Sequence, residues 1–319
     1  DAPIFLYAES LGASATVMGL IAGLTPIMVV FQIPAADHVS RIGYKRFITT
    51  GWTIRLFFVL PLIAVPLLAG QINQQSQLAL VIGALFCFNL IRGIASTGWF
   101  PWITGLIPEN VRGRYLTWET AANNIGSLVS LLIAALYLGA NPGPNKFAFL
   151  FVFSLIMGLV SLWFVHRVPD SPVTEENATN KQPVSWRAIL NHQPFRKLLW
   201  VSFTWAILVG GLLGFMVKFL KKGPDAMADN LVLYASAVKF AGGLITIWFL
   251  HSRLDRLGSR PLMFLALGIW AMVVVVWIGM SGGKFPVYFW TVCGAYLVMG
   301  FAFATFYMSL TKLAMATVP

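Results

Sequence analysis

Ser40-Arg41-Ile42-Gly43-Tyr44-Lys45-Arg46 and Asp255-Arg256-Leu257-Gly258-Ser259-Arg260 are two versions of one short basic turn. Each follows a long apolar run and opens another, and their glycines stand 215 residues apart. Glycine at the centre lets the backbone turn where a Cβ would crowd it. A basic turn repeated at that interval between apolar runs points to two related helical bundles joined in tandem. Duplicated bundles of this kind move solutes by rocking around a site between the halves.

The flanking runs are too apolar and too long for a soluble core. The chain is 58% hydrophobic and 10% charged, with a mean hydropathy of +0.78. A soluble domain carries roughly 25% charged residues, so a water-facing surface would be left bare here. The runs are 13–36, 47–69, 78–107, 116–138 and 147–165, then 198–217, 230–250, 261–280 and 286–310. Each has about the 20 residues a helix needs to cross the hydrocarbon layer. None sustains the period-two alternation of a barrel strand. The fold expected is all-α and polytopic, with nine spanning helices.

The formal charge of +11 does not mark a nucleic-acid-binding surface, because of where the charge lies. Taking loops alternately from the first basic turn, one set holds fourteen lysines and arginines, including Arg41, Lys45, Arg46, Arg112, Arg114, Arg167 and Arg260. The opposite set holds five: Lys146, Lys218, Lys221, Lys222 and Lys284. The positive-inside rule places the first set in the cytoplasm of a cell (inner) membrane, with the cluster at 218–222 running against the trend. Cys87 and Cys293 fall inside apolar runs and read as membrane-buried thiols rather than a disulfide pair.

The offset between the halves extends beyond the turns. Pro108 closes Thr104-Gly105-Leu106-Ile107-Pro108, and Pro319 closes Ala314-Met315-Ala316-Thr317-Val318-Pro319, 211 residues later. The run 13–36 therefore corresponds to 230–250, and the next two runs correspond likewise. The runs 198–217, 116–138 and 147–165 have no counterpart. The expectation is a six-plus-six protein represented by a fragment lacking its first helix and its last two. Residues 1–165 would form the N-terminal bundle, comprising the end of helix one and helices two to six. Residues 198–319 would form the C-terminal bundle of helices seven to ten. Between them 166–197 is polar and holds Pro169, Pro172 and Pro183. It reads as a cytoplasmic linker ending in a short amphipathic helix.

These loops resemble the major facilitator superfamily, whose members repeat Gly-x-x-x-Asp-Arg-x-Gly-Arg-Arg between helices two and three and between eight and nine. The second copy fits closely, with His251 at the leading glycine. In the first, Ala36 replaces that glycine and Ser40 the acid, with Asp37 about one turn earlier. Pro108-Glu109-Asn110-Val111-Arg112-Gly113-Arg114 is similar to the family's segment between helices four and five. The resemblance covers essentially the whole chain. It implies the six-plus-six fold and a permease that alternates access between two bundles. It also implies a conformational latch at Asp37, Arg41, Gly43, Lys45 and Arg46 and at Asp255, Arg256, Gly258 and Arg260. The alternative is that these cations only set topology.

Charges inside the apolar runs mark the candidate substrate pathway. Arg92 lies near the middle of 78–107, where a cation costs at least ~2.5–3.5 kcal/mol on insertion scales and normally faces a cavity or a partner. Helical spacing puts Asn89, Ser96 and Trp99 on its face. An arginine beside an amide, a hydroxyl and an indole suits an anionic or sugar-like ligand, although a structural ion pair would also explain it. Lys239 is central in 230–250, with Ser236 on its face. Glu119 lies barely one turn inside 116–138, with Asn123 on its face, and serves either as a gate, in a pair with Arg112 or Arg114, or in proton coupling. Trp99-Phe100-Pro101-Trp102 reads as an interfacial anchor, a stacking platform or a gate.

An intramembrane transferase would need a cluster of His, Asp or Glu at a membrane face. The four histidines are scattered among loops and helix ends, and no metal-ligand spacing, phosphate loop or nucleophile elbow appears. The sequence thus points to a secondary transporter of a small solute, with a lipid flippase or a channel as the rival readings. It calls for no enzyme activity, cofactor or metal. The expected partners are a small-molecule substrate, membrane lipid and a coupling ion such as a proton, with the protein acting as a monomer.

Overall fold

The computed structural model describes residues 2–170, 193–223, 226–250 and 258–317. The described residues are helical apart from short connections, with no strand among them. Nine of the helical segments are long and apolar enough to cross a membrane.

The first half begins with α1 (Ala2–Ser10), then α2 (Ala15–Met28) and α3 (Gln32–Ile42), which together make one bent span. Ser14 caps α2 by accepting the Val17 amide at 3.2 Å. Pro26 withholds one amide from the ladder of α2, and three residues of tighter 3₁₀ helix (Val29–Phe31) follow before α3. Next come α4 (Tyr44–Phe57) and α5 (Val59–Leu67), then α6 (Gln74–Ala95) and α7 (Trp99–Leu106), the latter pair joined through Ser96–Gly98 in 3₁₀ form. The half closes with α8 (Glu109–Leu138) and α9 (Pro144–Arg167). The second half is α10 (Gln193–Lys222), α11 (Asp229–Leu250), α12 (Ser259–Ser281) and α13 (Phe289–Thr317).

Most helices outrun the apolar stretches that announce them. Thus α8 starts at Glu109 rather than 116, and α10 runs from Gln193 to Lys222 rather than from 198 to 217. Backbone hydrogen bonding continues past the last apolar residue, because polar side chains at a helix end can reach water. The segment expected as a surface amphipathic helix falls largely outside the described residues; Arg196 and Lys197 instead belong to the first turns of α10.

The two basic turns share one backbone conformation. Gly43 has φ 92° and ψ 142°, and Gly258 has φ 77° and ψ 148°. This region is accessible essentially to glycine alone. Each glycine precedes the first residue of a spanning helix, α4 in one half and α12 in the other. The repeat read from sequence is therefore a repeat in backbone geometry.

The halves meet through α8 against α11 and α2 against α10, while α11 packs tightly against α13. Close approach in the second half depends on glycine. A Cβ at Gly300 would fall on the Lys239 carbonyl, and one at Gly242 would fall on that of Leu297. The main core runs through both halves and includes Tyr7, Met18, Leu138, Phe147, Trp205, Trp270 and Phe306.

Candidate functional site

A cavity of about 530 Å³ lies at mid-depth between the halves. Its first-half wall carries nearly all of its neutral hydrogen-bonding side chains: Thr25, Asn89, Thr120 and Asn124, together with Arg92. The second-half wall is apolar and aromatic, with Val209, Phe240, Phe303 and Tyr307; Lys239 is its one charged residue.

Arg92 is held in place by the pairing of α6 with the bent α2–α3 span. Thr25 Oγ1 donates to Asn89 Oδ1 at 3.0 Å, and Gln32 Nε2 donates to Ser96 Oγ at 2.7 Å. The two bonds are spaced two helical turns apart on both partners and so fix the register of one helix on the other. Gly93, next to Arg92, lets α6 approach until a Cβ would collide with the Met28 carbonyl. Asn89 also donates from Nδ2 to the Leu85 carbonyl at 2.8 Å. Its amide is thus committed to holding the helix.

Lys239 is held by the contact of its own carbonyl with Gly300. Its ammonium stands 4.7 Å from the centre of the Phe240 ring and 5.2 Å from that of Phe303. Neither Arg92 nor Lys239 has a hydrogen-bond or ion-pair partner among the described residues, and no carboxylate lines the cavity. Two cations from opposite halves therefore face one space, and no described residue neutralises them.

A third cation stands behind this wall, and the sequence reading passed over it. Arg55, in the middle of the α4–α5 span, places its guanidinium 4.9 Å from the Trp52 ring and 5.6 Å from the Phe88 ring. Phe88 lines the cavity, and Arg55 is close enough to Arg92 for the like charges to oppose each other. The signal was available, since Arg55 interrupts the run 47–69 in the way Arg92 interrupts 78–107.

The remaining candidates are distributed differently. Ser96 and Trp99 lie outside the cavity lining: Ser96 bonds to Gln32, and Trp99 stacks at 5.2 Å on Trp52. Trp99 also faces Glu119 across a crevice of about 10 Å³, which Tyr115 shares. Asn123 and Ser236 line a second cavity of about 510 Å³, along with Ser127, Ser130, Ser154 and Tyr296. Lys239, Phe240, Ile4 and Phe5 belong to both cavities, so Lys239 stands on the wall between them. Among the latch candidates, Arg41, Arg46 and Arg260 are exposed and Lys45 is half-buried. Asp37 lies in α3, while Asp255 and Arg256 lie outside the described residues.

The end of the molecule opposite the basic turns is tied shut across the halves. Lys218 Nζ donates to the Ala13 carbonyl at 2.9 Å, and Lys222 pairs with Glu9 at 3.3 Å. The amides of Asp229 and Asn230 donate to the carbonyls of Ala140 and Gly139, each at 3.2 Å. Lys221 forms an ion pair with Asp229 and so steadies the first turn of α11, which makes those contacts.

The Major Facilitator Superfamily model matches residues 2–319, and the chain belongs to that superfamily. A crystal structure of a single-site mutant of the nucleoside transporter NupG superposes with a TM-score of 0.64 at 15% identity, covering 99% of this chain and 78% of that one. A D-xylose-proton symporter gives 0.64 at 14% identity, with 95% and 74% covered. The inward-open conformation of the xylose transporter XylE from E. coli gives 0.63 at 13% identity, with 98% and 86% covered. At these identities the likeness is one of fold. No curated protein matches the sequence.

Proposed function

We propose that this member of the superfamily is a secondary active transporter that carries a small anionic or sugar-like solute across the cell (inner) membrane by alternating access. The observation that carries the reading is the mid-depth cavity. It is walled by both halves and lies beneath contacts that close the end away from the basic turns. With the basic turns in the cytoplasm, those contacts serve as the outer gate. Rocking the halves would break the outer ties and re-form others on the cytoplasmic side, where the latch loops lie.

Residues 1–165 and 198–319 act as the two rocking bundles, and 166–197 links them. Arg92 and Lys239 serve as the substrate-facing cations. Asn89 holds the Arg92 helix, and Asn123 and Ser236 line the adjoining compartment. Glu119, set against Trp99 and Tyr115, is the proton-coupling candidate. The chain acts as a permease rather than an intramembrane enzyme, as a monomer in contact with lipid.

The test is counterflow in proteoliposomes with D-xylose, uridine and phenylacetate as labelled probes. The carrier reading expects saturable uptake of at least one probe, with a transient overshoot when the lumen is preloaded with the unlabelled compound. Uptake that rises linearly with concentration and shows no overshoot would indicate a channel. Movement of a fluorescent phospholipid without solute uptake would indicate a flippase.

A further inference from the structure

The geometry points to a small amphiphilic organic anion as the substrate, with one carboxylate-type head bridging Arg92 and Lys239 and an apolar, preferably aromatic, body lying against Phe303 and Tyr307. This rests on the carrier reading and narrows it.

The head group follows from charge. Arg92 and Lys239 project into one space from opposite halves, and neither has a polar partner among the described residues. Arg55 adds a third positive charge behind Phe88. A cation in a low-dielectric site needs a counter-charge, and the lining offers none, so an anion gains where a neutral solute does not. An organic cation would be repelled by all three. Arginine supplies a planar two-donor fork and lysine a compact point charge. Together they suit a head whose two oxygens can be shared between the halves.

The body follows from the asymmetry of the walls. On the second-half side the only polar side chains in the lining are Lys239 and the Tyr307 hydroxyl. A solute hydroxylated on all sides would turn several hydroxyls toward Val209, Phe240 and Phe303 and lose their hydration without compensation. A flat apolar body loses nothing there and gains ring contacts. Phe303 and Tyr307 have centroids 6.0 Å apart with their planes 35° from parallel. Trp205 backs both, at 5.6 Å from Phe303 and 6.4 Å from Tyr307, which makes the wall rigid. Gly210, Gly300 and Ala304 keep the space in front of it open.

The experiment compares three ligands of nearly one shape, namely phenylacetate, phenylacetamide and phenethylamine. It adds glucose 6-phosphate as an anion without an apolar body, and binding to the purified protein is measured by titration calorimetry. The expected result is saturable phenylacetate binding that is at least about tenfold stronger than that of the amide, corresponding to loss of a charge-assisted contact. The amine and the sugar phosphate should bind more weakly still. Arg92→Gln and Lys239→Gln should each weaken phenylacetate by about tenfold or more while leaving the amide nearly unchanged. Equal binding of acid and amide, preference for the amine, or no phenylacetate binding overturns the anionic head. Preference for glucose 6-phosphate overturns the apolar body. The wild-type ligand series decides the matter even if a variant fails to fold. Phenylacetate that binds as described while none of the probes shows counterflow would leave this site standing and overturn the carrier reading instead.

Discussion

Replacing Lys218 by Met should release the end of the molecule away from the basic turns. The lysine donates to the carbonyl of Ala13, a residue with 1% of its surface exposed, across the contact between α10 and the loop before α2. A hydrogen bond with a charged donor contributes ~1.5–3 kcal/mol, and its loss leaves the carbonyl without that donor. If the bond exists only while that end is closed, its removal shifts the equilibrium toward the open state by about 10- to 150-fold. Lys222→Met is the matched control. It breaks the pair with Glu9, but the Lys222 side chain is 57% exposed. Exposed pairs of this kind contribute ~0.2–1 kcal/mol, which is about fivefold at most. The assay is the labelling rate of a single cysteine at Ala22, a cavity-lining residue, in protein lacking Cys87 and Cys293. The reagent is a membrane-impermeant maleimide added at the end opposite the basic turns. Lys218→Met should raise the rate by about tenfold or more, and Lys222→Met by less than about fivefold. Equal effects, or slower labelling in Lys218→Met, would refute the assignment of Lys218 as the stronger tie.

Gly300→Val should cost ~1–3 kcal/mol of stability, because the new Cβ meets the Lys239 carbonyl and backbone cannot move aside without parting α11 from α13. Gly294→Ala in the same helix meets nothing within 4 Å and should not lower the thermal midpoint; similar losses in both variants would remove the argument for close packing. A double-mutant cycle on Thr25→Val and Asn89→Leu should give a coupling of ~0.6 kcal/mol, the average for hydrogen bonds between membrane helices, whereas zero coupling would show that this pair does not hold α2 on α6. For topology, a cysteine placed near Lys181 should be labelled only from the cytoplasm and one near Gln74 only from outside, and the reverse pattern would invert the orientation.

The fold was largely legible because its determinants are local. Run length located all nine spans, and the matched glycines at 43 and 258 announced a duplication that the backbone repeats. The cavity cations Arg92 and Lys239 stood out because any charge in an apolar run does. The face assigned to Arg92 runs past the end of the cavity: Ser96, about one turn further along, bonds to Gln32 instead of lining it. Trp99 lies about two turns further along the span than Arg92, beyond the cavity, where it packs on Trp52 and faces Glu119. Phe303, Tyr307 and Thr25 carried no such signal. Their place in the site comes from α2 packing on α6, α13 packing on α11 and the halves meeting through α8–α11 and α2–α10, a long-range arrangement that periodicity within one helix does not encode.

Alternating access is tested most directly by cross-linking the closed end and probing the cavity from both sides. Ala140 follows α8 and Asn230 lies in the first turn of α11, and these two segments hydrogen-bond through their backbones across the halves, so cysteines at these positions can be joined by a short bifunctional reagent. A third cysteine at Ala206, in the cavity wall, is labelled with an impermeant maleimide from each face in turn, before and after cross-linking. The account predicts labelling from both faces before the cross-link and only from the face of the basic turns after it. Labelling from the far face that survives the cross-link, or that never occurs without it, would contradict a cavity opened alternately to the two sides.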